Sequence, residues 1–259
     1  MKFENIRVMN FENAIRGMRN PKNSWDLSDS FFGLWSDNFS PIPLPVANGI
    51  LFNWQEDDCP DWQILYRDAL KPSLYEYAAI GPKDMKLAQS LIQAGPEHRK
   101  FMRQIFVSVD ITAPLYVWKE IDTYKVGTVA NSTSTMHKLT SVPITRECFE
   151  MDDFHSIEFE GNEVDNIINY CEKLRQEYLK TKDKKIWKEL IRWLPESFLQ
   201  KRTMTMNYEN LLGICSKGQR RFHKLNEWSG IDDNTLENFI KFARSLPYAQ
   251  ELIFIDELI

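Results

Sequence analysis

The chain has 259 residues, 43% hydrophobic and 13% aromatic, which is enough to bury a substantial core. A formal net charge of −5 excludes a generic nucleic-acid binder, which needs a basic surface, but leaves room for a local basic pocket around one nucleotide. The cysteines Cys59, Cys148, Cys171 and Cys215 are scattered without a C-x-x-C pair, so neither a zinc site nor a disulfide framework is expected.

In chain order, the opening MKFENIRVMN lacks the apolar stretch of a signal peptide, and no apolar run approaches the roughly 20 residues of a membrane span. A reduced, cytoplasmic setting is therefore expected. The chain reads as a single domain, 1–259, in which residues 1–81 form an irregular extension rich in Asn, Ser, Asp, Pro and Trp. Within it, Ser40–Val46 (SPIPLPV) cannot be helical because three prolines interrupt it. Arg16, Arg19, Trp25 and Asp26 read as part of turns held by polar hydrogen bonds.

From Pro82 the patterns sharpen. PKDMKLAQSLIQAG predicts a helix opened by Pro82 and stopped at Gly95, with Met85, Ala88, Leu91 and Ile92 as its apolar stripe. Gln104–Ile111 alternates as a half-buried strand, with Ile105, Val107, Val109 and Ile111 on one face. Pro114 opens a short helix, PLYVWKEID, ended by Gly127, and Thr128–Thr135 is polar enough to read as a loop. Glu163–Trp193 has helical spacing throughout, its lysines forming a solvated face, and Pro195 stops it. A last helix is expected from about Asn234 to Leu246. Helices outnumber strands, so the fold class is α+β.

No G-x-G-x-x-G, P-loop, H-E-x-x-H, EF-hand or G-x-S-x-G pattern occurs, which argues against Rossmann, Walker, zincin and hydrolase-type sites. The histidines are His98, His137, His155 and His223, and residue type alone gives each a structural role more often than a functional one.

Three segments resemble the flavin-dependent thymidylate synthases, the ThyX family, in the same order and at similar spacing. The first is His98–Pro114 (HRKFMRQIFVSVDITAP), where His98 falls on a flavin-site histidine and Ala113-Pro114 opens a helix. The second is that helix and the loop after it, where the family carries RHRxxSxNExSxRY. Here Thr123, Tyr124 and Lys125 stand at the RHR positions. Thr128 takes the first serine, Asn131 the glutamate, and Thr133, or Ser134 with a one-residue slip, the second serine. The motif closes on Thr135 and Met136 in place of Arg and Tyr. The third is Leu194–Trp228, with Leu194-Pro195, then Thr205-Met206-Asn207, then Arg220 or Arg221 near a nucleotide-binding arginine and HKLNE after it. Glu209 reverses the charge of a family arginine.

The resemblance implies a ThyX-like fold, mostly helices on a small and mainly antiparallel sheet, assembled as a homotetramer with shared sites. It implies FAD as cofactor, dUMP or a related pyrimidine nucleotide as substrate, and NADPH and methylenetetrahydrofolate as co-substrates, with no metal, nucleic acid or membrane partner. Carried over position by position, the cofactor-binding set is His98, Lys125, Thr128, Asn131 and Asn207. The substrate-binding set is Glu120, Thr133, Ser134, Arg220 and Arg221, with Lys138 as a further cation. No catalytic residue is assigned. Lysine at 125 keeps the charge of an arginine but not its fork, and asparagine at 131 removes acid–base capacity. Three readings stay open: a divergent thymidylate synthase, a related enzyme with another carbon donor, and a non-catalytic nucleotide-binding homologue.

Overall fold

The computed structural model describes residues 1–36, 41–43, 74–151, 163–216 and 221–258. Its centre is a four-stranded antiparallel sheet in the order β1-β5-β7-β6, built from β1 (Lys2–Met9), β5 (Phe106–Pro114), β7 (Leu199–Asn207) and β6 (Val129–Ser132). The alternation read in the sequence sets the orientation of β5. Ile105, Val107, Val109 and Ile111 are each at most 1% exposed, while Ser108 and Asp110 lie on the opposite, polar face. A second antiparallel sheet, β3-β2-β4, comprises β2 (Phe31–Ser36), β3 (Pro41–Pro43) and β4 (Leu74–Ala79). The remainder of Ser40–Val46 lies outside the described residues.

The stretch expected to be irregular begins with two regular elements. β1 is an edge strand carrying Lys2, Glu4 and Arg7, charges that discourage further pairing. Its register shifts between Glu4 and Arg7, and Asn5 sits at φ 53°, which scrambles the period-2 pattern a reader would look for. α1 (Phe11–Arg19) buries Phe11, Ala14, Ile15 and Met18, a helical spacing, in the main core. Arg16 and Arg19, expected in turns, instead lie in α1, and the turn that follows is held by polar hydrogen bonds as expected. Buried Arg19 donates to Asp84, which also accepts from the hydroxyls of Ser28 and Ser30, and Trp25 donates to Asn20 at 2.8 Å.

Asp84 belongs to α2 (Pro82–Gln93), which starts at Pro82 as expected. α3 (Leu115–Ile121) closes with Asp122, well before Gly127. The loop expected at Thr128–Thr135 instead supplies β6 and opens the short helix α4 (Thr135–Lys138). No apolar pattern marks β6, because all four of its residues are exposed and only its pairing with β7 makes it a strand. The long helical stretch is two helices, α5 (Glu163–Thr181) and α6 (Lys184–Trp193), broken where Lys182 takes φ 57° and Asp183 caps Lys185. Buried Cys171 and Leu190 join Leu139, Ile144 and Phe149 in a second, smaller core. α7 (Tyr208–Cys215) and α8 (Asn226–Ser229) follow β7. The last expected helix shrinks to α9 (Phe239–Arg244), because Asn238 caps it and residues 226–238 are held in side-chain turns by Asn226 and Asn238. Among the described residues no helix is long and apolar enough to cross a membrane, and no group of His, Cys, Asp and Glu is placed to hold a metal ion.

Candidate functional site

The best-defined convergence lies at the start of α7, where β7 ends. Asn207 is 6% exposed and caps the helix. Its Oδ1 accepts the Asn210 N–H at 2.9 Å, and the Asn210 Oδ1 accepts the Asn207 N–H at 3.0 Å. This reciprocal capping box satisfies two backbone donors of the helix start. Asn210 Nδ2 donates to the Val126 carbonyl at 2.6 Å, drawing the Tyr124–Thr128 turn onto the helix start. Gly127 holds φ +80°, and a Cβ there would lie 3.0 Å from Asn207 Nδ2. Glycine is thus required both for the turn and for the close approach. Thr128 is half-buried and donates to the Tyr124 carbonyl at 2.9 Å, while Lys125 is exposed.

On another side of the same helix start, the first-turn residue Glu209 takes two guanidinium groups. Arg99 donates from Nε at 3.1 Å, and Arg103 donates from both Nε and Nη2. Burial alone would raise the Glu209 carboxyl, but the hydrogen bonds from Arg103 and Arg99 outweigh it and hold the pKa below the usual carboxylate range. His98, exposed in the preceding turn, is the neighbour of Arg99 in the chain. Three segments far apart in sequence, 99–103, 124–128 and 207–210, therefore meet at one helix start.

β6 extends the polar sheet face beside them. Asn131 is exposed opposite Thr203, which donates to Asp110 at 2.6 Å in the next strand, and Asn5 donates to the same carboxylate at 2.8 Å. These bonds, Thr203 first, hold the Asp110 carboxyl below its ordinary pKa. Thr133 continues the ladder, its N–H and hydroxyl both donating to the Lys201 carbonyl. Ser134 caps α4 by accepting from the His137 N–H at 3.2 Å, and Lys138 is exposed in that helix.

Glu120 lies in a second group, on α3. Its Oε1 is 3.8 Å from His223 Nε2, and His223 Nδ1 accepts the Leu225 N–H at 3.1 Å. Tyr116, one helical turn earlier, donates between Glu150 and Glu227. Behind them Trp228 is fully buried and stacked on Phe239, and its indole N–H has no hydrogen-bond partner among the described residues. The Tyr124 ring lies 5.7 Å from Trp228, so the Tyr124–Thr128 turn runs from this group to the start of α7.

Arg221, expected to grip a nucleotide, is 6% exposed and fully engaged within the chain. It donates to the Cys215 carbonyl at 2.9 Å, to Asp256 at 2.7 Å and to Glu257 at 2.7 Å. Arg244 also binds Glu257, whose carboxyl is held down at about 2 chiefly by that arginine. Arg221 thus anchors the last residues of the fold, and Arg220 lies outside the described residues. The expected set is not one cluster. Asn207, Lys125 and Thr128 meet at the α7 start, Asn131, Thr133 and Ser134 follow the β6 edge, and Glu120 and Arg221 sit in separate networks. Sequence reasoning passed over Arg99, Arg103 and Asn210. The Arg99–Arg103 spacing after His98, and the N-x-x-N spacing of Asn207 and Asn210, were the available signals.

Asn207 Nδ2 donates to no acceptor among the described residues, which leaves this amide a donor to offer a cofactor's polar edge. No protein-family model and no curated protein matches the chain. Among solved structures it is similar to the flavin-dependent thymidylate synthase ThyX of Helicobacter pylori complexed with FAD and dUMP, at 14% identity and a TM-score of 0.57, over 99% of both chains. A second structure of H. pylori ThyX with FAD and dUMP matches at 12% identity and a TM-score of 0.55, over 99% of this chain and 98% of that one. The antiparallel sheet, the helices packed on it and the near-complete overlap in both directions make this chain a divergent protein with the ThyX fold.

Proposed function

We propose that the chain is an altered-specificity homologue of flavin-dependent thymidylate synthase, binding a flavin and a pyrimidine nucleotide such as dUMP beside the start of α7. The observation that supports it is the meeting there of the three segments that resemble the family, with a capping amide, Asn207, whose Nδ2 donates to no acceptor among the described residues. Asn207 and Thr128 would hold the flavin, with His98, Lys125 and Asn131 at the rim, and Thr133, Ser134 and Glu120 would face the nucleotide. A bound flavin supplies the electron transfer, and the protein contributes binding, orientation and exclusion of water. Against a full thymidylate synthase stand the Thr123-Tyr124-Lys125 sequence and the internal pairing of Arg221, which remove forked phosphate contacts from the expected places.

The second reading is methylation of dUMP to dTMP with methylenetetrahydrofolate, NADPH and FAD in a cytoplasmic homotetramer. It is favoured by the overlap with ThyX over nearly the whole of both chains. The visible spectrum of the purified protein, before and after FAD and then dUMP, tests both. A bound-flavin spectrum that shifts with dUMP supports a shared site, and turnover of dUMP then selects the second reading. A protein that takes up neither ligand overturns both.

A further inference from the structure

The nucleotide reading needs cations for phosphate, and the expected cation Arg221 is consumed by Asp256 and Glu257. Arg99 and Arg103 are differently placed. Both are bound to the single carboxylate of Glu209, so two positive charges share one negative charge and the group keeps a net +1. Glu209 receives only Arg99 Nε and Arg103 Nε and Nη2. The Nη1 and Nη2 groups of Arg99 and Nη1 of Arg103 donate to nothing among the described residues. The Arg103 side chain is 49% exposed and that of Arg99 is 24% exposed, so these donors are open to a ligand. A purely structural ion pair gains little from a second, half-exposed arginine. Two guanidiniums fixed in orientation by a shared carboxylate can instead present convergent N–H groups with little further ordering cost.

We propose that Arg99 and Arg103, held together by Glu209, form an oxyanion clamp for the phosphate of the bound ligand. Glu209 aligns the two positive charges of the 99–103 segment. The clamp takes either the phosphate of a pyrimidine nucleotide or the phosphates of a flavin nucleotide. This inference deepens the reading above, and the test separates the two.

The experiment is calorimetric titration of the full chain with inorganic pyrophosphate, FAD, riboflavin, dUMP and deoxyuridine, for wild type, Arg103→Gln and Arg103→Lys. Thermal melts verify folding, which the half-exposed Arg103 leaves intact. Arg103→Gln is expected to weaken the phosphate-bearing ligand about tenfold or more, in line with the loss of a charge-assisted hydrogen bond, and to leave its phosphate-free partner unchanged. Arg103→Lys, which keeps the charge and loses the fork, falls between. Loss confined to FAD or to dUMP identifies the source of the phosphate. Arg103-dependent pyrophosphate binding with no uptake of flavin or nucleotide upholds the clamp and overturns the proposed function. Equal affinity in wild type and folded Arg103→Gln, or no anion binding by wild type, overturns the clamp.

Discussion

Replacing Glu257 by glutamine tests how much the carboxyl-terminal network that holds Arg244 and Arg221 contributes to stability. Glu257 accepts Arg221 Nη1 at 2.7 Å and Arg244 Nη2 at 2.6 Å, and its side chain is 27% exposed. Its carboxyl falls from 4.5 to about 2 in the folded chain. At about 1.4 kcal/mol per pH unit, that drop corresponds to at most about 3.5 kcal/mol of stability at pH 7. Partial solvent screening reduces the expected loss in Glu257→Gln to about 2 kcal/mol. Because the folded pKa is depressed, the contribution is complete above the unfolded value of 4.5 and is lost as pH falls toward about 2. At about pH 3 the difference between wild type and Glu257→Gln should be less than half that at pH 7. Urea denaturation of both proteins at the two pH values is the assay. A penalty below about 0.5 kcal/mol at pH 7, or one unchanged at about pH 3, would refute the assignment of Glu257 to a stabilising ion-pair network with Arg244 and Arg221.

Three further outcomes follow from particular contacts. Asp84→Asn leaves buried Arg19 without its carboxylate and should cost about 3 kcal/mol or more in chemical denaturation, showing that the amino-terminal segment is integral to the core. Gly127→Ala must hold φ +80° and crowd Asn207 Nδ2, so a loss of about 1–2 kcal/mol is expected by thermal melting. Asn207→Asp keeps an oxygen that can cap α7 and should change stability by less than about 0.5 kcal/mol, while weakening any anionic cofactor measured by flavin titration. Unchanged flavin affinity would remove Asn207 from the site.

How much of this was legible in the sequence differs by element. The sequence displayed Ile105 to Ile111 as a buried-face strand and Pro82 as a helix start, because burial of one face writes a period into the residues. It also carried the order of three family-like segments, which anticipated the ThyX fold. Strand β6 left no such trace, since its four exposed residues are fixed only by backbone bonds to β7. The long helical stretch showed its period but not its break at Lys182 and Asp183.

Charge pairing was the least legible. Arg221 and Arg103 are alike as letters, and in one dimension the arginine near a family position was the natural phosphate ligand. Folding brought Asp256 and Glu257 to Arg221, 35 and 36 residues away, and Glu209 to Arg103, 106 residues away. Local sequence determines which face of an element is apolar, because that depends on neighbours within a turn or two of chain. Which guanidinium remains open to a ligand is decided only in three dimensions, because electrostatic partners are selected by distance in space and not along the chain.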